Sequence, residues 1–373
     1  MKLIIFTLSL KDQHTLFQHT INLANELQHE IVGIATIEQS EAGETYNGAP
    51  VFYLPYISED MADLLILPYY KWEFEGKKNA ILLALKDIWH FPKDKITPSD
   101  VLMKEFLGVK YRNSLDKEIQ STLKFWENND ISPFNQYLDN YPDTFDEVFF
   151  DDKANLHYIF FETVSGKKLK MYLRQNYVFE DIGGKYYVKN VLKEQLPTSP
   201  HLYTTEKHKV QEGDIVIDAG VCEGNFALKY VDIAKKIYLF ENDPAWIDAL
   251  SYTFKDMDNV EIIGKGVSSE TNDDFVKIDD VVDISPQNSY FLKMDIEGYE
   301  IAALKGADAL LKTGRVKSSI CAYHKYDDDT RIRIFLEKYG YKTEFSQGYI
   351  TFIYAPEFWQ TRDFRRAVIY GDL

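Results

Sequence analysis

Two acidic residues follow consecutive apolar runs in the second half of this chain. Asp218 comes directly after Ile215, Val216 and Ile217, and Glu241 comes directly after the next run, IYLF. If both runs are parallel strands, their carboxyl ends meet at the edge where open α/β sheets bind ligands. An acid at the end of the second such strand usually accepts hydrogen bonds from a ribose diol. The pair therefore predicts a site for a nucleoside cofactor.

A glycine turn lies between the two acids and indicates the class of cofactor. Its pattern is D-x-G-x-x-x-G, with Gly220 and Gly224 at positions where a backbone can approach a ligand closely. A dinucleotide site prefers G-x-G-x-x-G, whose second glycine admits a pyrophosphate. Glu223 would repel a diphosphate, but its carboxylate suits a ligand that carries ammonium and sulfonium groups. The turn therefore favours S-adenosylmethionine over NAD, and a purely structural strand-to-helix turn is the alternative.

Neighbouring positions complete the predicted cofactor site. Asn225 follows the second glycine, and Asn242 follows the acid of the second run. Val267 lies in the segment GVSS after a third run, VEIIG, and backbone groups of such a loop often meet the edge of an adenine. The predicted cofactor-binding residues are Asp218, Gly220, Glu223, Gly224, Asn225, Glu241, Asn242, Val267 and Asp295.

Candidates for proton transfer follow the fourth and fifth predicted strands. The run YFLKMD ends at Asp295, SSICAYH ends at His324, and Glu297 lies two positions after Asp295. A hydroxyl that attacks a methyl sulfonium loses a proton, and an imidazole with an ordinary pKa of about 6.5 suits that transfer near neutral pH. We therefore predict His324 as the general base, with Asp295 orienting it or the substrate hydroxyl.

These acids also have other interpretations. Asp295 and Glu297 are suitable caps for the helix that begins near Tyr299, because carboxylates satisfy the unpaired N–H groups of a first turn. A divalent metal held by Asp295, His324 and either Asp327 or Asp328 is a further alternative. The sequence favours neither a metal nor a purely structural role, so we predict no metal site.

The elements that position these residues alternate between strand-like and helix-like patterns. Such alternation predicts an α/β fold with a parallel sheet that is covered on both faces. Near the C-terminus, YKTEFS and GYITFIY are separated by a short turn at Gln347 and Gly348, which predicts an antiparallel hairpin at the sheet edge. A seven-stranded, Rossmann-like sheet with such a hairpin is the layout of class I methyltransferases. An NAD-binding domain would end with another parallel crossover.

The length of 373 residues predicts more than one domain. We expect a smaller Rossmann-like α/β domain at 1–103, a connecting region at 104–195 and a catalytic domain at 196–373. The first domain includes a helix over 77–89, and its first turn lacks glycine, so we expect an assembly module rather than a ligand site. The connecting region is expected to be helical and to form antiparallel strands over 148–173, with turns at Asp152 and Gly166.

Composition restricts the partners. The net charge of −17 argues against nucleic acid, because phosphate contacts require clustered Lys and Arg. No apolar run approaches the roughly 18 residues of a membrane-spanning helix. The N-terminal LIIFTLSL is typical of a first strand rather than of a signal peptide. We therefore expect a cytoplasmic protein without membrane insertion, and a homo-oligomer is compatible with the sequence.

Residues 190–355 resemble the FkbM-type methyltransferases. The likeness is carried by VIDAGVCEGNF, by GVSSE, by LKMDIEGYEIAALKG with its K-x-D-x-E-G-x-E core, and by the lead-in from LKEQLPTSPHLY to VQEGDIVIDAG. One departure is the pair Val221 and Cys222, where the family more often has Ala and Asn. The first hundred residues fall outside the likeness.

The resemblance implies a function. It implies S-adenosylmethionine-dependent O-methylation of a hydroxyl on a sugar or small metabolite, with S-adenosylhomocysteine as the product. The expected acceptor is a nucleotide-activated sugar or a sugar of a capsule or surface glycan. Alternatives are a class I methyltransferase acting on a lipid, peptide or secondary metabolite, and a non-catalytic nucleotide-binding protein.

Overall fold

The computed structural model describes residues 1–8, 10, 15–68, 92–129, 131–137, 147–175, 182–353, 355 and 357–373. The chain forms two compact units. Unit 1 comprises residues 1–135 and 351–364, and unit 2 comprises residues 136–350 and 365–373. The domain boundaries at residues 103 and 195 stay a prediction. Among the helices in the described ranges, none is both long and apolar enough to cross a bilayer.

Unit 1 contains a sheet with helices from its first 135 residues. The described strands are β1 (Lys2–Thr7), β2 (Glu30–Thr36), β3 (Thr45–Tyr46), β4 (Ala49–Tyr53), β5 (Leu64–Leu67) and β6 (Ile96–Pro98), and the described helices are α1 (Thr15–Glu26), α2 (Asp100–Tyr111) and α3 (Lys117–Trp126). The strand order is β3-β4-β2-β1-β5-β6. All of these pairs are parallel except β3 with β4. The predicted helix over 77–89 lies outside the described residues.

Strand β1 shows why unit 1 begins with a continuous apolar run. Leu3 and Ile5 belong to one hydrophobic cluster, whereas Ile4 and Phe6 belong to another. Successive side chains of a strand point to opposite faces. The strand is therefore buried on both faces, as expected for a central strand of a parallel sheet.

Unit 2 contains a seven-stranded sheet with the order β12-β11-β10-β15-β16-β18-β17. Its strands are β10 (Ile215–Ala219), β11 (Lys236–Phe240), β12 (Val260–Ile263), β15 (Tyr290–Met294), β16 (Val316–Cys321), β17 (Lys342–Phe345) and β18 (Val368–Asp372). Strand β18 runs antiparallel to both of its neighbours, and the other pairs are parallel. This confirms the predicted α/β class and the seven-stranded sheet with an antiparallel edge. The connections reverse direction between β10 and β15, which is the switch point where such sheets bind ligands.

Helices and two small sheets make up much of the remaining described part of unit 2. The helices are α4 (Ile182–Lys193), α5 (Asn225–Tyr230), α6 (Pro244–Thr253), α7 (Glu300–Lys305), α8 (Asp308–Lys312) and α9 (Asp328–Glu337), and the strands are β7 (Phe149–Asp151), β8 (Leu156–Glu162), β9 (Lys168–Leu173), β13 (Gly266–Val267) and β14 (Phe275–Val276). Strands β7, β8 and β9 form an antiparallel sheet. The turns at Asp152 and Gly166 join these strands, which confirms that part of the prediction.

The edge hairpin differs from the predicted one. Residues 348–353 of the predicted strand GYITFIY form no strand, and Ile350 makes an isolated bridge to Arg365. The partner of β17 is β18 instead. The reason is that residues 351–364 belong to unit 1, where Phe358 and Trp359 of helix α10 (Phe358–Thr361) are fully buried. The prediction of a short two-strand turn was therefore wrong.

Candidate active site at the carboxyl ends of the strands

Asp218 lies at the end of β10 with no exposed surface. Lys293 of β15 places its Nζ 3.0 Å from Asp218 Oδ1 and donates a second hydrogen bond to the carbonyl oxygen of Gly220. Burial raises the pKa of Asp218, and the Lys293 ammonium opposes that shift. Asp218 thus holds the glycine turn through a buried ion pair. No role was predicted for Lys293 from the sequence, although it begins the K-x-D motif.

The glycine turn packs against the backbone that carries Asp295. Gly220 has a φ of +76°, and a Cβ built on it would lie 1.7 Å from the carbonyl oxygen of Asp295. Cys222 in the same turn has a φ of +48°, which is uncommon for a residue with a side chain. Close packing and left-handed backbone together explain why the turn needs glycine at its first position.

Glu241 connects the end of β11 to this turn. Its Oε1 accepts hydrogen bonds from the backbone N–H groups of Asn242 and Asp243, both at 2.9 Å. Its Oε2 accepts from the backbone N–H of Cys222 at 3.0 Å. The two acids predicted at adjacent strand ends are therefore brought to the same turn.

The other predicted cofactor residues near this turn differ in their exposure to solvent. Glu223 is buried, Asn225 is half-buried at the start of α5, and Asn242 is exposed. Val267 is buried in β13. A Cβ on the preceding Gly266 would lie 3.6 Å from the Asn242 side-chain nitrogen, so β13 borders the end of β11. Their contact with a cofactor stays a prediction.

Asp295 follows β15, and two imidazoles and two phenols surround its carboxylate. His324 Nε2 lies 3.3 Å from Oδ1, and His201 Nε2 lies 3.4 Å from Oδ2. The hydroxyl of Tyr203 donates to Oδ2 at 2.7 Å, and that of Tyr323 donates to Oδ1 at 3.5 Å. The carboxylate therefore receives donors on both oxygens.

Each imidazole is held by a second carboxylate. His324 Nδ1 lies 2.9 Å from Glu300 Oε1, and His201 Nδ1 lies 3.1 Å from Glu194 Oε2. Glu300 is fully buried, although the sequence suggested only a residue in the first turn of a helix. His201 and Glu194 were also missed, because they come from the segment before β10 and no local pattern connects them to Asp295. The lead-in LKEQLPTSPHLY, which contains both residues, was the available signal.

The charges of this cluster favour imidazolium groups in the free protein. Burial alone would lower the pKa of His324, but Asp295 and Glu300 outweigh it and raise the pKa to about 10. In the same way, Asp295 and Glu194 raise the pKa of His201 to about 9. The two imidazoles hold the pKa of Asp295 well below its usual range, against the effect of burial. The proposed general base is therefore protonated before substrates arrive.

Glu297 lies at the surface of the cluster. Its side chain is 82% exposed, and its Oε2 lies 3.7 Å from His324 Nε2. Tyr299 is the N-cap of helix α7 and makes no side-chain cap hydrogen bond, so helix capping does not account for Glu297. A direct role in catalysis stays a prediction.

One group of residues near Asp295 has metal-ligand spacing. The ligand atoms of His201, Asp295 and Cys321 lie within 4.8 Å of one another. The alternative considered from the sequence combined Asp295 with His324 and either Asp327 or Asp328, whereas this group combines Asp295 with His201 and Cys321. Hydrogen bonding within the Asp295 cluster accounts for the same close distances without an ion.

Comparison with known proteins gives a family match for the part of the chain that carries Asp218, Glu241 and Asp295. Residues 210–343 match the model described as the methyltransferase FkbM domain. No curated protein matches the sequence.

Solved structures of methyltransferases are also similar. An FkbM methyltransferase from Methylobacillus flagellatus KT is 16% identical, with coverage of 99% of this chain and 89% of its own and a TM-score of 0.42. A precorrin-6y C5,15-methyltransferase from Geobacter metallireducens GS-15 is 15% identical over 45% of this chain and 85% of its own, with a TM-score of 0.31. An rRNA methylase from Streptococcus thermophilus is 20% identical over 44% and 89%, with a TM-score of 0.31.

The family match confirms the resemblance inferred from the glycine turn and the K-x-D-x-E-G-x-E motif. It includes both strand-end acids, the buried ion pair beneath the turn, and Asp295 with His324. Residues 210–343 of this chain form an FkbM-type methyltransferase domain.

Proposed function

We propose that the protein transfers a methyl group from S-adenosylmethionine to a hydroxyl group of a sugar in the cytoplasm. The observation that supports this best is the Asp295 carboxylate, which is surrounded by donors and lies against the glycine turn through Gly220. The proposed site thus combines an edge suited to a nucleoside with groups that can hold a proton near the acceptor.

Glu241 is proposed to hold the ribose diol. A carboxylate has about four lone-pair sites, and three of those on Glu241 are taken by backbone N–H groups. The remaining capacity suits a hydroxyl donor. Glu223, beside the turn, is proposed to balance the positive charge of the methionine part.

The reaction proposed at Asp295 is an in-line displacement. S-adenosylmethionine supplies the methyl group, whose bond to sulfur breaks as the acceptor oxygen bonds to its carbon. Alignment of the reacting atoms is proposed to contribute most of the rate acceleration, since effective molarities for such positioning reach about 10⁵–10⁸ M. Asp295 and Glu297 are proposed to orient the acceptor hydroxyl.

His324 is proposed to take the hydroxyl proton. General-base catalysis of this kind typically increases the rate by about 10²–10⁴-fold. His324 must first lose its own proton. A positive charge that arrives nearby disfavours imidazolium, so the sulfonium would lower the pKa of His324. The proposal therefore predicts that cofactor binding and the release of a proton from the cluster are coupled.

The acceptor is proposed to be a nucleotide-activated sugar or a sugar of a capsule or surface glycan. The net charge of −17 disfavours RNA as an acceptor, because RNA binding requires clustered positive charge. Lipid, peptide and other metabolite acceptors are distinguished from sugars by direct assay.

Calorimetric binding of S-adenosylmethionine and S-adenosylhomocysteine tests the proposal first. We expect micromolar binding to the wild type and a loss of about tenfold or more in Glu241→Ala, the usual effect of removing a hydrogen bond to a charged group. Glu261→Ala is the matched control, because Glu261 is an exposed acid on β12 of the same sheet. Absence of binding to the folded wild type would refute the methyltransferase function.

Transfer of a labelled methyl group to a panel of acceptors tests the substrate. The panel contains nucleotide sugars, free oligosaccharides, a lipid extract, peptides and RNA. Methylation confined to sugars supports the proposal, and methylation of another class with sugars inert overturns its acceptor.

A further inference from the structure

A cavity of about 510 Å³ lies in unit 2 beside the first helix of the methyltransferase domain. Its walls come from the three-stranded sheet of β7 to β9, from the segment before β10 and from α5. Small-molecule sites have volumes of about 300–1,000 Å³ and combine aromatic walls with a few polar groups. The cavity has this size and this mixture.

Phenylalanine rings form the apolar wall. Phe149 and Phe160 lie on neighbouring strands with ring centroids 5.4 Å apart, and Phe226 of α5 also lines the cavity. Phe160 is 47% exposed, and its side chain lines the cavity. An exposed aromatic ring that faces a cavity offers a flat surface to the apolar C–H face of a sugar ring.

Two donors stand on one face of α5. Asn225 and Lys229 both line the cavity and are four residues apart, a spacing that places them on the same side of a helix. Among the described residues, no carboxylate lies within ion-pair distance of the Lys229 ammonium. Burial lowers the pKa of Lys229, with no acid to oppose it. The cavity is also lined by Glu147, Glu162 and Lys168, all of which are exposed. Because neither glutamate pairs with Lys229, an anionic ligand group would supply the charge that this ammonium lacks.

One end of the cavity adjoins the active site. Asn225 directly follows Gly224 of the glycine turn, and Thr204, another lining residue, directly follows Tyr203. Tyr203 donates to Asp295, and its ring lies 5.8 Å from that of Phe226. A ligand that extends past Asn225 would therefore approach the turn and the Asp295 cluster.

We propose that this cavity binds an anionic sugar ring, which is the neighbour of the ring that receives the methyl group. The inference rests on the proposed function, because it names a further part of the acceptor. Phe149 and Phe160 stack on the ring, Phe226 borders it, and Asn225 and Lys229 bind its oxygens. The anionic group is either a carboxylate, as in a uronic acid, or a phosphate.

Ligand-observed NMR titration of the full chain tests the cavity. The probes are glucuronate, glucose 1-phosphate, neutral methyl glucoside and inorganic phosphate. We expect at least one anionic sugar to bind about tenfold more tightly than methyl glucoside, a difference of about 1.4 kcal/mol. Comparing glucuronate with glucose 1-phosphate identifies the anionic group. Lys229→Met should remove the advantage of the anionic sugar over the neutral one.

Phe160→Ala and Phe150→Ala provide a matched pair. Both residues are phenylalanines of the three-stranded sheet with similar exposure, 47% and 49%, but only Phe160 is among the residues that line the cavity. Phe160→Ala should weaken sugar binding by about tenfold, whereas Phe150→Ala should leave it unchanged. Equal effects of the two variants, binding of no anionic sugar, or equal binding of inorganic phosphate and glucose 1-phosphate would overturn the inference.

Calorimetry with S-adenosylhomocysteine separates this inference from the proposed function. Normal binding of that ligand with no sugar binding removes the cavity inference and leaves the methyltransferase intact. Sugar binding without S-adenosylhomocysteine binding would show that the cavity holds a sugar but that no neighbouring ring is methylated. That result would also overturn the inference.

Discussion

Gly220 lies directly beneath Asp295, so close that a Cβ on the glycine would reach within 1.7 Å of the Asp295 carbonyl oxygen. The turn proposed to hold the cofactor and the residue proposed to orient the acceptor therefore share one packed contact. A shift of either backbone would displace the other. We propose that this contact, rather than flexible side chains, supplies the alignment that a displacement reaction needs.

Gly220→Ala should abolish S-adenosylhomocysteine binding, because the turn and the Asp295 backbone cannot both keep their positions. Gly213→Ala is the control, since Gly213 has a similar φ of +85° but a Cβ added to it would meet no atom within 4 Å. The control should lose only the roughly 1–2 kcal/mol of left-handed strain. Calorimetry and thermal unfolding measure both effects. Equal losses in the two variants would show that the Asp295 contact is unimportant.

His324→Ala should abolish methyl transfer while S-adenosylhomocysteine affinity stays within about twofold of the wild type. The expected loss is about 10²–10⁴-fold, the usual contribution of a general base. His324→Gln keeps a hydrogen-bonding group and separates proton transfer from packing. Unchanged turnover of the true acceptor in both variants would exclude His324 from the mechanism.

Thermal stability should fall as pH rises from about 7 to 10. The pKa values of His201 and His324 are raised to about 9 and about 10, above the value of about 6.5 for an unfolded histidine. Such groups contribute stability that is complete below the unfolded pKa and is lost as pH rises through the folded one. His324→Gln should flatten this alkaline decline.

His208→Gln is the comparison for that pH series. Burial lowers the pKa of His208 to about 4. This residue therefore reduces the stability of the fold at acidic pH and has no effect at alkaline pH. Its replacement should ease the loss of stability between about pH 6.5 and 4 and leave the alkaline decline unchanged. An alkaline decline that is identical in wild type and His324→Gln would contradict the assigned charges.

Cys222→Asn should raise stability by up to about 1 kcal/mol, because Asn adopts the left-handed conformation at φ +48° more readily than Cys. The backbone N–H that donates to Glu241 is retained in this variant. Thermal unfolding measures the gain, and S-adenosylhomocysteine affinity should not change. A destabilised variant would indicate that the Cys222 side chain makes a required contact.

Removal of divalent metal should leave methyl transfer unchanged, because hydrogen bonds already account for the spacing of His201, Asp295 and Cys321. Activity is compared before and after dialysis against a chelator, and metal content is measured in the same samples. A stoichiometric metal whose removal stops the reaction would assign an ion to this group.

Local patterns were sufficient to predict the acids and the glycine turn. Asp218 is the penultimate residue of β10, and Glu241 and Asp295 directly follow β11 and β15. The parallel arrangement of these strands brings all three acids to the same edge of the sheet. His201 and Glu300 were missed for different reasons. His201 comes from a segment outside the sheet, and Glu300 looked like an ordinary residue of a first helical turn until its burial was known.

The misplaced second strand of the predicted edge hairpin has a similar physical origin. GYITFIY has the composition of a strand, and Gly348 supplies a turn. No local sequence pattern indicates that residues 351–364 belong to the other unit. Burial of Ile353, Phe358 and Trp359 in that core decides the path, and long-range burial of this kind has no short-range signature.

The order β16-β18-β17 has a consequence for how the sheet is completed. Strand β18 lies between β16 and β17 and pairs with both of them. Residues 346–367 must therefore be synthesised before β17 can pair with β18. A nascent chain that ended before β18 would leave the backbone groups of β16 as an open edge able to recruit strands from other molecules. Protection against aggregation during synthesis therefore depends on how quickly Val368–Asp372 reaches that gap.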